Sequence, residues 1–362
     1  YFTIGYGREP LYDYVVAAVM SFMGPTILAG RLVSAFAGLI LIVAMMAWVN
    51  LAFSRSTALM TGAGLALGFW PVMSARQALR SVLLPTLFVL ALLVFWLAFK
   101  NVISATGTTK KPYFWRGFYR LWPFIIAGAL LGLTFYTYIP ARVLWIIFPA
   151  LLLYWLFKQR SFIPQMWWRI GVMLLLMFLI AAPLLLYLQA NSGAETRIRQ
   201  LAQPLYAAQD GHWGLLTGQA LDSLRLFFVA GDPAWRYNIA GRPFLTPLFG
   251  ILFILGVVRA LWWVITGKES ARKLPGSASF LSISWLAAGA SWVAAQAGTN
   301  ARTLYTAALI LLFATLALVT WRDYFQTWAN HPEVRVQYET TMATAVDYLN
   351  TNSRGEAAIS TI

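Results

Sequence analysis

The chain contains no cysteine, so disulfides, iron–sulfur clusters and thiolate-bound zinc are excluded. Histidine is almost as scarce, with only His212 and His331, too few for a histidine-rich metal centre; any metal would need carboxylates. Charge is sparse as well. Charged residues make up 11% of the chain, against about 25% in ordinary soluble domains, which excludes a water-soluble enzyme and a disordered polymer alike. The deficit is deepest in acid: from Val15 to Gly193 there is no aspartate or glutamate. Carriers that couple transport to protons or sodium generally place carboxylates at mid-membrane, where their cost marks them as functional. A reaction at the membrane surface fits this acid-free stretch better than transport through it.

What fills the 362 residues instead is apolar: 60% hydrophobic and 16% aromatic residues, with a mean hydropathy of +0.67. The expected fold is an all-α polytopic membrane protein of nine to ten transmembrane helices plus outer interfacial helices. Runs of about 20 apolar residues are needed to span the hydrocarbon core, and they fall near 26–53, 57–74, 81–99, 119–138, 143–157, 170–190, 243–264, 277–296 and 303–321. Residues 10–24 are too short and polar at the front to cross and are expected to lie along the outer interface, as is the stretch from Asp222 to Val229 within the long outer loop 191–242. Residues 1–321 therefore read as the transmembrane domain. From Arg322 to residue 362 the chain turns polar, with a periodic Tyr338, Met342, Val346, Leu349 face, and reads as the start of a soluble domain. Tyr1 is not an initiator and Ala357–Ile362 reads as a first strand, so both ends are expected to continue.

The formal charge of +15 is read through topology rather than as a nucleic-acid partner. All lysines lie in three places, Lys100/Lys110/Lys111, Lys158 and Lys268/Lys273, and these segments are expected on the cytoplasmic side. The alternate segments hold arginine and no lysine, including Arg8, Arg76, Arg80, Arg142, Arg197, Arg199, Arg225, Arg236, Arg242 and Arg302. Counting nine crossings leaves the tail cytoplasmic.

Arginine grips phosphate and carboxylate in two-point contact, so an arginine-only outer face points to an anionic ligand, with snorkelling toward headgroups as the alternative. Ser74-Ala-Arg-Gln-Ala-Leu-Arg80 spaces Arg76 and Arg80 for one face of a helix start, where free N–H groups would add to their pull on a phosphate. Tyr136-Thr-Tyr-Ile-Pro-Ala-Arg142 sets Tyr136, Tyr138 and Arg142 around a proline-broken turn. Arg76, Arg80, Arg142 and Arg302 form the candidate phosphate site, and no acidic residue lies near them in sequence. Gly62-Ala-Gly64 follows no strand and reads as helix packing.

Arg8-Glu-Pro-Leu-Tyr-Asp-Tyr14, followed by Ala29-Gly-Arg-Leu-Val-Ser-Ala-Phe-Ala-Gly-Leu39 at the head of a span, resembles the GT-C glycosyltransferases of the protein O-mannosyltransferase and lipid A aminoarabinose-transferase type. Phe69-Trp-Pro-Val-Met-Ser-Ala-Arg76 and the Tyr136–Arg142 turn resemble further segments of bacterial members. Asp323-Tyr-Phe-Gln-Thr-Trp-Ala-Asn-His-Pro-Glu-Val-Arg335 is similar to the lead-in to their extracytoplasmic domain. The resemblance implies an enzyme of the cytoplasmic membrane that takes a sugar from a polyprenyl-phosphate carrier and passes it to a protein, lipid or glycan acceptor on the extracytoplasmic side. It implies Arg8, Glu9, Tyr12 and Tyr138 as the cavity and acceptor region, and Arg76, Arg80, Arg142 and Arg302 as stabilisers of the departing phosphate. The family's aspartate base follows its first span, which would lie upstream of Tyr1; no catalytic residue is assigned in the chain, and no metal. It also places the tail outside, against the parity count. Two alternatives stand beside this reading: a lipid or polysaccharide flippase, and a non-catalytic subunit of a membrane complex.

Overall fold

In a computed structural model the described residues are 8–104, 114–158, 160–191, 196–266 and 299–337. They form α1 (Leu11–Met23), α2 (Ile27–Ala52), α3 (Arg55–Leu67), α4 (Phe69–Arg76), α5 (Leu83–Ser104), α6 (Phe114–Thr134), α7 (Ala141–Leu144), α8 (Ile147–Lys158), α9 (Ile163–Ala190), α10 (Thr196–Gln209), α11 (Gly214–Phe228), α12 (Pro247–Thr266), α13 (Thr299–Trp321) and α14 (Pro332–Gln337). The chain is an all-α polytopic membrane protein. Five helices are long and apolar enough to cross a bilayer among the described residues, six if α3 and α4 count as one bent span. The expected span at 277–296 and the tail beyond residue 337 lie outside the described residues.

The bundle is held by small residues and aromatic wedges. Along α9, Met166, Ile170, Met173, Met177 and Ala181 are fully buried, a stripe with the helical period. Gly128 and Gly132, one turn apart on α6, lie so close to the Met173, Met177 and Ile180 segment of α9 that a side chain at either would collide with it; water gives no drive between helices in lipid, so close backbone approach supplies the attraction. Gly62 does the same for α3 against Met46 of α2, as expected of a packing glycine. Phe95 of α5 meets Phe124 of α6 and Phe148 of α8 edge to face, and Phe99 stacks on Trp155 at 5.1 Å. Phe36, Leu39, Ile40 and Val43 point outward from α2, where lipid would cover them.

Three boundaries depart from the sequence expectation. The span at 57–74 is broken: α3 and α4 meet at Gly68 with a 58° bend, because Pro71 has no N–H to continue the ladder and its ring crowds the preceding turn. The span at 119–138 ends at Thr134, and Thr134 and Thr137 turn their hydroxyls onto the carbonyls of Leu131 and Thr134, closing the helix before Tyr138. The run at 143–157 is divided into α7 and α8. The helix expected over 10–24 is present as α1; its 13 residues reach roughly 20 Å, short of the hydrocarbon core.

The two ends of the bundle are chemically distinct. Lys100 Nζ donates to the carbonyl of Leu51, and Phe162 packs on Phe99 and Trp155, gathering Lys100, Lys158 and Arg160 at one end. Arg80 stands at the opposite end of the same helical run, Arg80–Ile103, about 30 Å away at 1.5 Å per residue. We call these the lysine end and the arginine end.

Candidate functional site

At the arginine end Glu9 is buried, 1% exposed, although it belongs to the short segment before α1. It is held by Arg80, whose Nη1 donates to Oε2 at 3.0 Å, and by Arg142, whose Nη2 lies 3.8 Å from Oε1. Arg80 sits in the one-turn 3₁₀ helix that opens the α5 span, and Arg142 in α7 just after Pro140. The Tyr138 ring lies under the Arg80 guanidinium at 5.6 Å. The Leu11 N–H donates to the Tyr136 carbonyl, and the Tyr136 hydroxyl donates to the Ile180 carbonyl on α9. Tyr12 is buried and its hydroxyl bonds the Gly30 carbonyl and the Ser34 hydroxyl of α2; burial raises its pKa, so it stays neutral. Arg8 is exposed. The expected acceptor-region residues thus divide: Glu9 and Tyr12 tie the start of α1 to Arg80, Arg142 and α2, Tyr138 lies under Arg80, and Arg8 is exposed.

The four-arginine expectation divides too. Arg80 and Arg142 converge on one anion, the Glu9 carboxylate, so they are compensated; a partner 71 residues away from Arg80 supplies the charge that the local sequence lacks. Arg76 and Arg80 do not share a helix face. Arg76 is the last residue of α4, and an extended backbone at Gln77 intervenes before Arg80; at a helix C-terminus the free groups are carbonyls, which repel an anion. Arg76 instead stacks over Phe325 at 4.9 Å and Tyr324 at 5.6 Å. The side chain of Arg302 lies outside the described residues.

Tyr324 and Phe325 come from a π-helical segment, Arg322–Trp328, that prolongs α13. Tyr324, Trp328 and Val334 pack with Phe69 and Met73 of α4, so the beginning of the polar tail belongs to the arginine end. A second ion pair fastens it: Arg242 Nη1 lies 2.7 Å from Asp323 Oδ2, Arg322 donates twice to Oδ1, and Arg242 covers the Phe69 ring. Burial lowers the Arg242 pKa, and Asp323 opposes that shift. Trp328 Nε1 donates to the Trp235 carbonyl and His331 stacks flat on Trp235 at 3.5 Å, so the loop after α11 closes over the same segment.

Beside this segment opens a cavity of about 440 Å³, lined by the head of α2, the end of α4, the π-helical segment and α14, within the 300–1,000 Å³ typical of small-ligand sites. Arg31, Arg76 and Arg335 line it, and among the described residues no carboxylate does. Two of these arginines escaped the sequence expectation. Arg31 carried a signal, since a charged side chain in the second turn of a span is rare without a role; Arg335 was hidden in a segment read as soluble. Among the described residues no three histidine, aspartate or glutamate side chains gather for a metal.

This arrangement can be set against solved structures. The archaeal oligosaccharyltransferase AglB from Archaeoglobus fulgidus, in complex with an inhibitory peptide and a dolichol-phosphate, matches with a TM-score of 0.51 and 13% identity over 96% of this chain and 50% of its own. The fold is GT-C-like. ArnT from Cupriavidus metallidurans bound to undecaprenyl phosphate matches at a TM-score of 0.44, 15% identity, 97% of this chain and 71% of that one. The A. fulgidus oligosaccharyltransferase complex with Zn and sulfate gives 0.45, 15%, 93% and 43%. The chain spans about half the length of the archaeal enzymes. No family model and no curated protein matches the sequence.

Proposed function

We propose that this chain is the membrane portion of a glycosyltransferase that moves a sugar from a polyprenyl-phosphate carrier to an acceptor at the arginine end, on the extracytoplasmic side of the cytoplasmic membrane. The observation that carries the reading is the convergence of Arg80 and Arg142 on one point in a GT-C-like bundle. Two guanidinium groups face a single carboxylate beside Tyr138. Lysine gathered at the opposite end supports the orientation, because cytoplasmic loops concentrate positive charge.

In the proposed reaction an acceptor nucleophile attacks the anomeric carbon, the bond to the phosphate oxygen breaks, and the phosphate leaves with the electron pair. The proton of the nucleophile passes to a base outside the arginine cluster. Charge grows on the departing phosphate, where pre-placed guanidinium groups stabilise the transition state more than the ground state. Arg80, Arg142 and, from the adjoining cavity, Arg76 are assigned that work, with Arg302 as the fourth candidate.

The test uses the protein expressed from its complete reading frame, in membrane vesicles supplied with a radiolabelled polyprenyl-phosphate hexose. Sugar should leave the carrier, and Arg142→Ala should slow that release by about tenfold to a hundredfold, the loss of roughly 1.5–3 kcal/mol for a charge-assisted contact. Arg142→Lys should restore part of it, since charge returns without the planar fork. Movement of intact donor across the bilayer with no sugar released would overturn the proposal in favour of a flippase.

A further inference from the structure

We infer that α11 and the Trp213 turn before it dock on the surface of a phospholipid bilayer and thereby hold loop 231–242 against the start of the tail. This does not depend on sugar transfer. The direction comes from the aromatic joint between α11 and α12. Phe228, at the end of α11, packs on Phe253 at 6.1 Å and covers Gly250, where an added side chain would meet its ring at 3.2 Å. Phe253 lies six residues after Pro247, the first residue of α12, roughly 9 Å along the helix from its start. The Phe228 side of α11 is therefore turned inward, along the length of α12, which falls in the run expected to span at 243–264.

Two further side chains share that direction. Leu224 precedes Phe228 by four residues and Leu221 precedes Leu224 by three, the spacing of one helix face. Both are 61% exposed, so among the described residues no helix covers them. Trp213 is exposed as well and falls in the same sector at about 100° per residue. Thr217, also on this side, turns its hydroxyl onto the carbonyls of Trp213 and Gly214 and so has no need of water. The far side is polar: Gln219, Asp222 and Ser223 are exposed there, and Asp222 pairs with Arg225 at 3.6 Å.

The neighbouring surface names the occupant. Ile251, Leu255 and Val258 of α12 are exposed and apolar, a face that hydrocarbon covers in a polytopic protein, and the leucines of α11 continue it past Phe228. Leucine on one side, tryptophan at the end and a charged pair on the other side make up a helix that lies in the membrane interface. What hangs from α11 gives the docking its purpose. The N–H groups of Phe244 and Leu245 donate to the carbonyls of Leu226 and Phe227, and the Gly231 N–H donates to the Gly241 carbonyl, so loop 231–242 is a closed unit suspended from the end of the helix. Arg242 in its neck reaches Asp323, and Trp235 receives Trp328 and His331. Seating α11 in lipid fixes the height of this loop and, through it, of the first turns of the tail.

The chain has no cysteine, so single-site labelling tests this directly. Full-length protein carrying Leu221→Cys, Asp222→Cys, Ser223→Cys or Leu224→Cys is nitroxide-labelled and reconstituted in phosphatidylethanolamine–phosphatidylglycerol vesicles. Collision of each label with oxygen and with a water-soluble nickel chelate is read by electron paramagnetic resonance. Labels at 221 and 224 should favour oxygen over nickel by about fivefold relative to labels at 222 and 223, because the two pairs stand on opposite sides of the interface. Equal ratios at the four sites overturn the inference. Shielding of 221 and 224 from both reagents would reveal protein cover, and dipolar broadening between labels a second copy; either result overturns it too. The hold on the loop is read by trypsin cleavage after Arg236, which is exposed. Leu221→Ser with Leu224→Ser should speed cleavage by about tenfold in vesicles, since cleavage follows the population of the open loop. Leu215→Ser, exposed on the opposite side of the same helix, should leave the rate unchanged. A wild-type rate in the double variant at unchanged melting temperature separates the loop from the helix and overturns the inference. The collision ratios come from proteins that keep the wild-type elution profile, so a double variant that fails to fold leaves the docking test in force.

Discussion

Arg80 and Arg142 converge on a buried carboxylate, whereas Arg31 and Arg76 line a cavity with no carboxylate among the described residues of its wall. The two groups have the same side chain, lie at the same end of the molecule and differ in what the fold supplies opposite them. Where an anion is built in, arginine holds helices together; where none is, the positive charge remains for something that arrives from outside. The excess of arginine at this end is therefore two populations, one facing a built-in carboxylate and one facing a cavity.

That division can be broken most sharply at Glu9. Glu9→Ala strands two partly buried guanidinium groups, and loss of one partner of a buried pair costs about 3 kcal/mol or more. The melting temperature of the purified protein in detergent should fall by several degrees; an unchanged value would show that Arg80 and Arg142 are as open as Arg76. Asp323→Asn comes next. It removes the charge that compensates Arg242 and Arg322, and should cost about 2 kcal/mol, read as faster proteolysis of the segment after α13. Smaller still is Arg76→Ala. An exposed cation–π contact is worth about 0.5–1 kcal/mol, so thermal stability should barely move while anion binding falls. A large loss of stability there would erase the distinction between the two populations. In the interior, by contrast, Gly132→Leu should prevent α6 from closing on α9 and abolish folded protein altogether, measured as loss of the monodisperse peak in size exclusion; it calibrates what structural damage looks like.

The helices were largely legible in the sequence, because 20-residue apolar runs have few alternatives in a bilayer and α1 announced itself as a shorter, mixed one. The bend at Gly68 was also written there, in Gly68 and Pro71, but was absorbed into an otherwise apolar run. What could not be read was pairing. Nothing local to Arg142 reveals that its counter-charge is Glu9, and nothing local to Arg335 reveals that the chain returns to the head of α2. The placing of Lys100 and Lys158 opposite Arg80 was visible, since topology acts on loops one at a time; the division among the arginines was not, since it depends on which distant loops touch.

The Glu9 contact has a consequence for the order of assembly. The chain emerges from the ribosome N-terminus first, at about 5–20 residues per second. Arg142 follows Glu9 by 133 residues (142 minus 9), which is roughly 7 to 27 seconds of synthesis at that pace. Throughout that interval the carboxylate lacks its second arginine, and burying it beside Arg80 alone forgoes part of the compensation it has in the finished fold. The helix it precedes would therefore dock fully only after α2 to α6 have been laid down and α7 has been delivered. On this schedule the Glu9 contact waits for α7, and the first turn of the described chain settles only after the helices from α2 to α7 have been made.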